Sequence, residues 1–94
     1  MIEWTEQATR QLDQAHDYIE LSNSPEVADR IAMQIVSGVQ RFLNFPMSGR
    51  PGRVPRTREL VVAGTPFILA YAVKGPRIVV LAVYHGAQRW PERL

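Results

Sequence analysis

Arg58-Glu59-Leu60-Val61-Val62-Ala63, Phe67-Ile68-Leu69-Ala70-Tyr71-Ala72-Val73 and Arg77-Ile78-Val79-Val80-Leu81-Ala82-Val83-Tyr84 are three runs rich in Val, Ile, Leu and aromatic residues. Gly64-Thr65-Pro66 and Lys74-Gly75-Pro76 divide them. Runs of this composition bounded by Gly and Pro read as strands. Connections so short imply antiparallel neighbours, here a three-stranded meander. Pro66 has no amide hydrogen for a ladder bond, which puts it at a strand start. In the middle run Phe67, Leu69 and Tyr71 alternate with Ile68, Ala70 and Ala72, so both faces of the sheet are apolar. One face belongs against the rest of the chain. Part of the other should be covered by the protein's own tail or by another chain.

Upstream the period changes from two to near four. Ala8, Leu12, Ala15 and Ile19 share one face of a helix from about Thr5 to Leu21, with Thr5 as its cap. Ser22-Asn23-Ser24 interrupts it. Ser24-Pro25-Glu26 then has the order of a helix start: a capping hydroxyl, a proline at the first helical position and an acid in the first turn. Ala28, Ile31, Ala32, Ile35, Val39, Phe42 and Leu43 trace its apolar stripe, and Pro46 ends it near Asn44. The short break predicts an antiparallel hairpin. Ile2-Glu3-Trp4 alternates like a small edge strand. The expected fold class is therefore α+β: a two-helix hairpin packed on a small, twisted antiparallel sheet, one domain over residues 1–94.

The chain has 94 residues, no cysteine and a net charge of +2. Disulfides and cysteine metal sites are excluded, and two histidines make a poor zinc set. No cofactor or metal is expected. The first residues lack the basic and apolar regions of a signal peptide, and the longest apolar run, Ile78 to Tyr84, is too short to cross a bilayer. The expected location is the cytoplasm, away from membranes.

Charge is unevenly placed. Residues 1–45 carry seven acids against three bases, whereas residues 46–94 carry two acids against eight bases. Between Met47 and Thr57, glycines and prolines are interleaved with Arg50, Arg53 and Arg56, and Arg58 follows. No acid interrupts this stretch, which reads as a basic loop suited to an anionic partner. Trp4 and Trp90 read as packing anchors, and His16, beside Asp13 and Asp17, as a surface residue.

Several ordered motifs resemble the RelE/ParE superfamily of toxins. They are Gly49-Arg50-Pro51-Gly52-Arg53-Val54, Thr57-Arg58-Glu59-Leu60-Val61-Val62, Gly64-Thr65-Pro66-Phe67 and Val83-Tyr84-His85-Gly86-Ala87-Gln88-Arg89-Trp90-Pro91. Trp4 with the first helical face, and Ser24-Pro25-Glu26-Val27-Ala28, fit the same pattern. The resemblance implies a toxin of a type II toxin–antitoxin pair, with the hairpin-on-sheet fold already expected. Its partner would be an antitoxin whose acidic C-terminal segment wraps it, and operator DNA would be bound only through that antitoxin.

Two activities follow from the resemblance. ParE-like members poison DNA gyrase; RelE-like members cleave mRNA on the ribosome. Cleavage requires a general acid, a general base and cations at the scissile phosphate. The RelE-like arginine of the middle strand falls at or beside Ile68, and the lysines fall within Glu59 to Val61. None of these residues can stabilise added negative charge. A nuclease built from what remains would use His85 with Arg58 and Arg89, and Tyr84 as a further candidate. The expected target- or antitoxin-binding surface comprises Arg50, Arg53, Arg56, Arg58, Ile68, Arg77, Arg89 and Trp90.

Overall fold

The structure is a computed structural model that describes residues 2–86, without the side chains of residues 42 and 43. Strand β1 (Ile2–Trp4) leads into helix α1 (Glu6–Ser22) and helix α2 (Pro25–Asn44). Strands β2 (Arg50–Pro51), β3 (Arg58–Val61), β4 (Phe67–Lys74) and β5 (Arg77–His85) follow. The α+β hairpin-on-sheet class is present.

Both helix starts are made by the expected caps. The Thr5 hydroxyl accepts from the Ala8 amide at 3.0 Å, and the Ser24 hydroxyl from the Val27 amide at 3.2 Å. Pro25 occupies the first turn of α2, where no intrahelical amide is needed. Ala8 and Ile19 of α1 and Ala28, Ile35 and Val39 of α2 are buried. They meet Phe67, Leu69 and Tyr71 of β4 and Ile78, Val80 and Val83 of β5 in one core. Removing a Leu, Ile or Val side chain of this kind from water stabilises the fold by about 1.5–3 kcal/mol.

The sheet is larger than the expected meander. Its order is β1-β5-β4-β3-β2. The predicted three strands pair antiparallel at its centre. Ile2–Trp4 adds an edge strand parallel to β5, opposite Ile78 to Val80, so the sheet is mixed. A parallel neighbour needs a long crossover, which the helical hairpin begins. Arg50 and Pro51, expected in an irregular loop, pair with Glu59 and Arg58 as the other edge. Proline is tolerated there because an edge strand can spare one ladder donor.

One irregularity controls which way β5 points its side chains. Tyr71 pairs with Val80 and Ala70 with Ala82, which leaves Leu81 opposite no residue, a β-bulge. Ile78, Val80 and Val83 therefore all reach the helical core despite the odd spacing. The bulge is tied to the start of α1. The Leu81 carbonyl accepts from Thr5 Oγ1 at 3.2 Å and Gln7 Nε2 at 3.4 Å. Gln11 Oε1 accepts from the Val83 amide at 2.8 Å. On the other face Ala70, Ala82 and Tyr84 form a separate buried cluster.

Candidate functional site

Tyr71, wholly buried in the core, carries its hydroxyl to the basic segment. That oxygen accepts from the Gly49 amide at 2.8 Å and donates to the Pro46 carbonyl at 3.0 Å. A side chain at Gly49 would bring its Cβ within 2.6 Å of the same oxygen, so the approach requires glycine. The segment that reads as a loop is therefore a fixed hairpin between β2 and β3. Gly52 donates to the Thr57 carbonyl at 2.8 Å, and Thr57 Oγ1 donates to the Val54 carbonyl at 2.6 Å.

Glu59 completes the lock. It is 4% exposed and accepts from Arg50 Nε at 3.2 Å, Arg50 Nη2 at 3.1 Å and the Arg53 amide at 3.0 Å. A buried carboxylate needs such charge-assisted bonds. Arg58 Nη1 donates to the Gly49 carbonyl at 2.6 Å. The side chains of Arg50 and Arg58 and the amide of Arg53 bond within the hairpin, and Arg53 and Arg56 are exposed near its tip. Arg56 has φ 65°, the left-handed region that non-glycine residues enter only at a cost.

The candidate nuclease residues are distributed over both faces. Tyr84 joins the cluster away from the helices, opposite Ile68, and burial raises its pKa. His85 pairs with Phe67 and meets its ring edge-on, centroids 5.6 Å apart at 84°. It lines a cavity of about 500 Å³ together with Gln11, Gln14, Tyr18 and Val83, on the helical side. Arg58 pairs with Tyr71 instead. Four residues along β4 and two strand spacings separate the two positions, roughly 16 Å between backbones. The structure does not bring Arg58 and His85 together. Arg89 and Trp90 lie outside the described residues.

Ile68 is 8% exposed in the middle of the sheet. Arg77 sits at the other end of β5 and forms a two-pronged pair with Glu3, 2.7 Å and 3.2 Å, that clips β1 to β5. The hydrogen bond from Arg77 lowers the Glu3 pKa, and the same pair raises that of Arg77.

Two features escaped the sequence reading. His16 Nε2 stands 2.7 Å from Asp29 Oδ1, which bridges the two helices, and its Nδ1 lies 3.6 Å from Glu20 Oε2. The hydrogen bond to Asp29 is the main reason its pKa is raised. The near neighbours in sequence were visible beforehand, but Asp29 comes from the facing helix. The second feature is a groove of about 700 Å³ between α2 and β3, whose lining includes Glu26, Met33, Gly38, Arg41, Leu60 and Val61. Met33 and Val61 are 69% and 52% exposed. Exposed apolar positions on neighbouring elements were the available signal.

Residues 2–90 match the family described as the ParE toxin of the type II toxin–antitoxin system parDE. The chain belongs to the ParE toxin family. Y4kP of Sinorhizobium fredii (strain NBRC 101917 / NGR234), whose name proposes a toxin, is 41% identical over 93 residues, 99% of this chain and 95% of that protein. The fold is similar to a solved structure of the chromosomal ParDE toxin–antitoxin system from P. aeruginosa, with a TM-score of 0.82 and 30% identity over 89% of this chain and 92% of that one. This ParE family member is an α+β domain that carries a tethered basic hairpin at one sheet edge and a groove between α2 and β3. No described helix is long and apolar enough to cross a membrane.

Proposed function

We propose that this ParE toxin arrests growth by poisoning DNA gyrase and is neutralised by a cognate antitoxin. The observation that carries this reading is the family match over residues 2–90. The geometry adds support. Ile68 occupies the middle strand where a RelE-like nuclease would place an arginine, and Arg58 and His85 stand on strands either side of β4, opposite residues four apart along it. Proton transfer and phosphate stabilisation act on one reacting group, which they must reach within hydrogen-bond distance. Inhibition through a docked surface has no such requirement.

The antitoxin is assigned to the α2–β3 groove. Apolar Met33, Leu60 and Val61 among charged lining residues such as Glu26 and Arg41 suit one face of an amphipathic segment. An antitoxin segment that is disordered when free would order on binding there. Operator DNA is reached through the antitoxin.

The test is purified toxin added to gyrase and relaxed plasmid. Blocked supercoiling or trapped cleaved DNA is expected, with relief when the antitoxin is added. Unimpaired supercoiling at toxin excess, together with codon-specific cuts on programmed ribosomes, would transfer the activity to mRNA.

A further inference from the structure

We infer that the hairpin between β2 and β3 is a built contact site for the phosphate backbone of duplex DNA, made by Arg53 and Arg56. This deepens the gyrase reading and rests on it, because gyrase is a target that carries duplex DNA.

The case begins with charge. From Met47 to Arg58 there are four arginines and no acid. The neighbouring acid, Glu59, is buried and already neutralised by Arg50. Arg58 is bonded to the backbone carbonyl of Gly49, which leaves its positive charge uncancelled. Lys74 lies exposed at the same end of the sheet, because β3 begins where β4 ends. The seven acids of residues 1–45 ride on β1, α1 and α2. Among the described residues the hairpin thus gathers positive charge away from most of the acids, an arrangement that steers a polyanion towards one edge.

Rigidity is the second observation. Hydrogen bonds at Gly49, Gly52, Arg53, Thr57 and Arg58 hold the hairpin. Its one strained residue is Arg56, at φ 65°. Glycine would take that conformation without cost, yet a long cation occupies it. Strain retained within a well-tethered segment points to the side chain's use. Fixing the backbone that carries the cations lowers the entropy lost when they meet phosphates.

The chemistry favours DNA over an acidic peptide. Peptide recognition couples charge to pockets for apolar side chains. Neither cavity described above has Arg50, Arg53, Arg56 or Arg58 in its wall: one lies between α2 and β3 and the other beside α1. At the hairpin tip Arg53, Pro55 and Arg56 are exposed around a half-buried Val54. Cations on a firm support match a regularly spaced backbone charge, which positions a protein on DNA without reading sequence.

The experiment is fluorescence anisotropy of a 20-base-pair duplex of arbitrary sequence with the full-length chain, from 50 to 200 mM salt. Each phosphate contact contributes about 0.9 to the slope of log affinity against log salt. Arg53→Gln and Arg56→Gln should each lower the slope by about one, and the double variant should bind roughly tenfold more weakly at 50 mM salt. Arg53→Gln keeps the backbone bond to Glu59. Arg56→Gly supplies a further control: it should weaken DNA binding while its melting temperature holds or rises. Three results would overturn the site: no duplex binding at 50 mM salt, an unchanged slope in the double variant, or tighter binding of poly-glutamate or single-stranded RNA than of duplex. Gyrase inhibition is measured in parallel. Duplex binding that responds to both arginines without gyrase inhibition sinks the target but leaves the site standing. Inhibition by the double variant equal to that of the parent removes the site and leaves gyrase as the target.

Discussion

The Tyr71 hydroxyl and the Gly49 amide meet at 2.8 Å, joining the buried centre of β4 to the first residue of the basic hairpin's approach. The same hydroxyl donates to the Pro46 carbonyl at the exit of α2. One side chain therefore ties the core, the end of the helical hairpin and the proposed binding edge. Tyr71→Phe fills nearly the same volume but leaves a buried amide and a carbonyl without this partner. A loss of about 1–3 kcal/mol follows from that desolvation. Chemical denaturation would measure it, and an unchanged midpoint would show that the hairpin is anchored without Tyr71.

Glu59→Ala removes the acceptor of three bonds, two from Arg50 and one from the Arg53 amide. Arg50 is half exposed and can turn to water, so the cost falls mainly on the part-buried Arg53 amide and should be about 1 kcal/mol. In a domain of this size that is a drop of roughly 4–8 °C in Tm per kcal/mol. Amide exchange should also quicken at Arg53 and Gly52 before it quickens in β4. Uniform acceleration across the sheet would mean that Glu59 supports the whole fold instead of the hairpin.

His16 makes helix docking depend on pH. Its pKa is raised above the ordinary 6.5, with the Asp29 hydrogen bond as the largest cause. The folded state thus binds the proton more tightly than the unfolded state. The extra stability is fully present below 6.5 and is lost as pH rises through the higher folded value. Tm should fall from slightly acid to slightly alkaline pH, and His16→Gln should flatten that slope. A parent and a variant with parallel pH profiles would remove His16 from the account.

Met33→Glu and Val61→Lys place charge in the α2–β3 groove at positions that are already solvent-exposed. Folding should be almost unaffected, since such surface changes usually stay within about 0.5 kcal/mol. Affinity for the antitoxin should fall at least tenfold. Growth arrest would then persist when antitoxin is co-expressed. Full rescue of both variants would place the antitoxin elsewhere.

Thr5→Ala tests the link between helix and bulge. It removes both the cap of α1 and the bond to the Leu81 carbonyl. A loss of about 1–2 kcal/mol is expected for a capping residue, and Thr5→Ser should recover most of it. A serine variant as weak as alanine would shift the explanation to the lost methyl group.

Several parts of the fold were legible because they are local. Thr5, Ser24 and Pro25 carry helix starts within three or four residues of themselves, and both starts stand where that chemistry puts them. The central strands announce themselves by composition and by the turns at Gly64 and Gly75, both at positive φ. Ile2–Trp4 was a weak signal, since a three-residue strand means little until β5 lies beside it. The candidate site was legible as a set of residue types and much less as an arrangement. Tyr84 and His85 are adjacent in sequence, yet one joins the far-face cluster and the other meets Phe67 on the helical side.

By itself the sequence determined the α+β class, the helix boundaries, the three central strands and the separation of an acidic half from a basic one. These follow from periodicity, capping and charge, all of which act over a few residues. Tertiary structure alone decided that the Arg50 side chain meets Glu59 and that of Arg58 meets the Gly49 carbonyl. It also decided the parallel edge strand, the bulge at Leu81 that resets the faces of β5, and the His16–Asp29 bridge. The physical reason is common to all four. Each depends on which distant donor meets which acceptor once the core has closed, and identical arginines in one basic stretch differ only in what that closure places beside them.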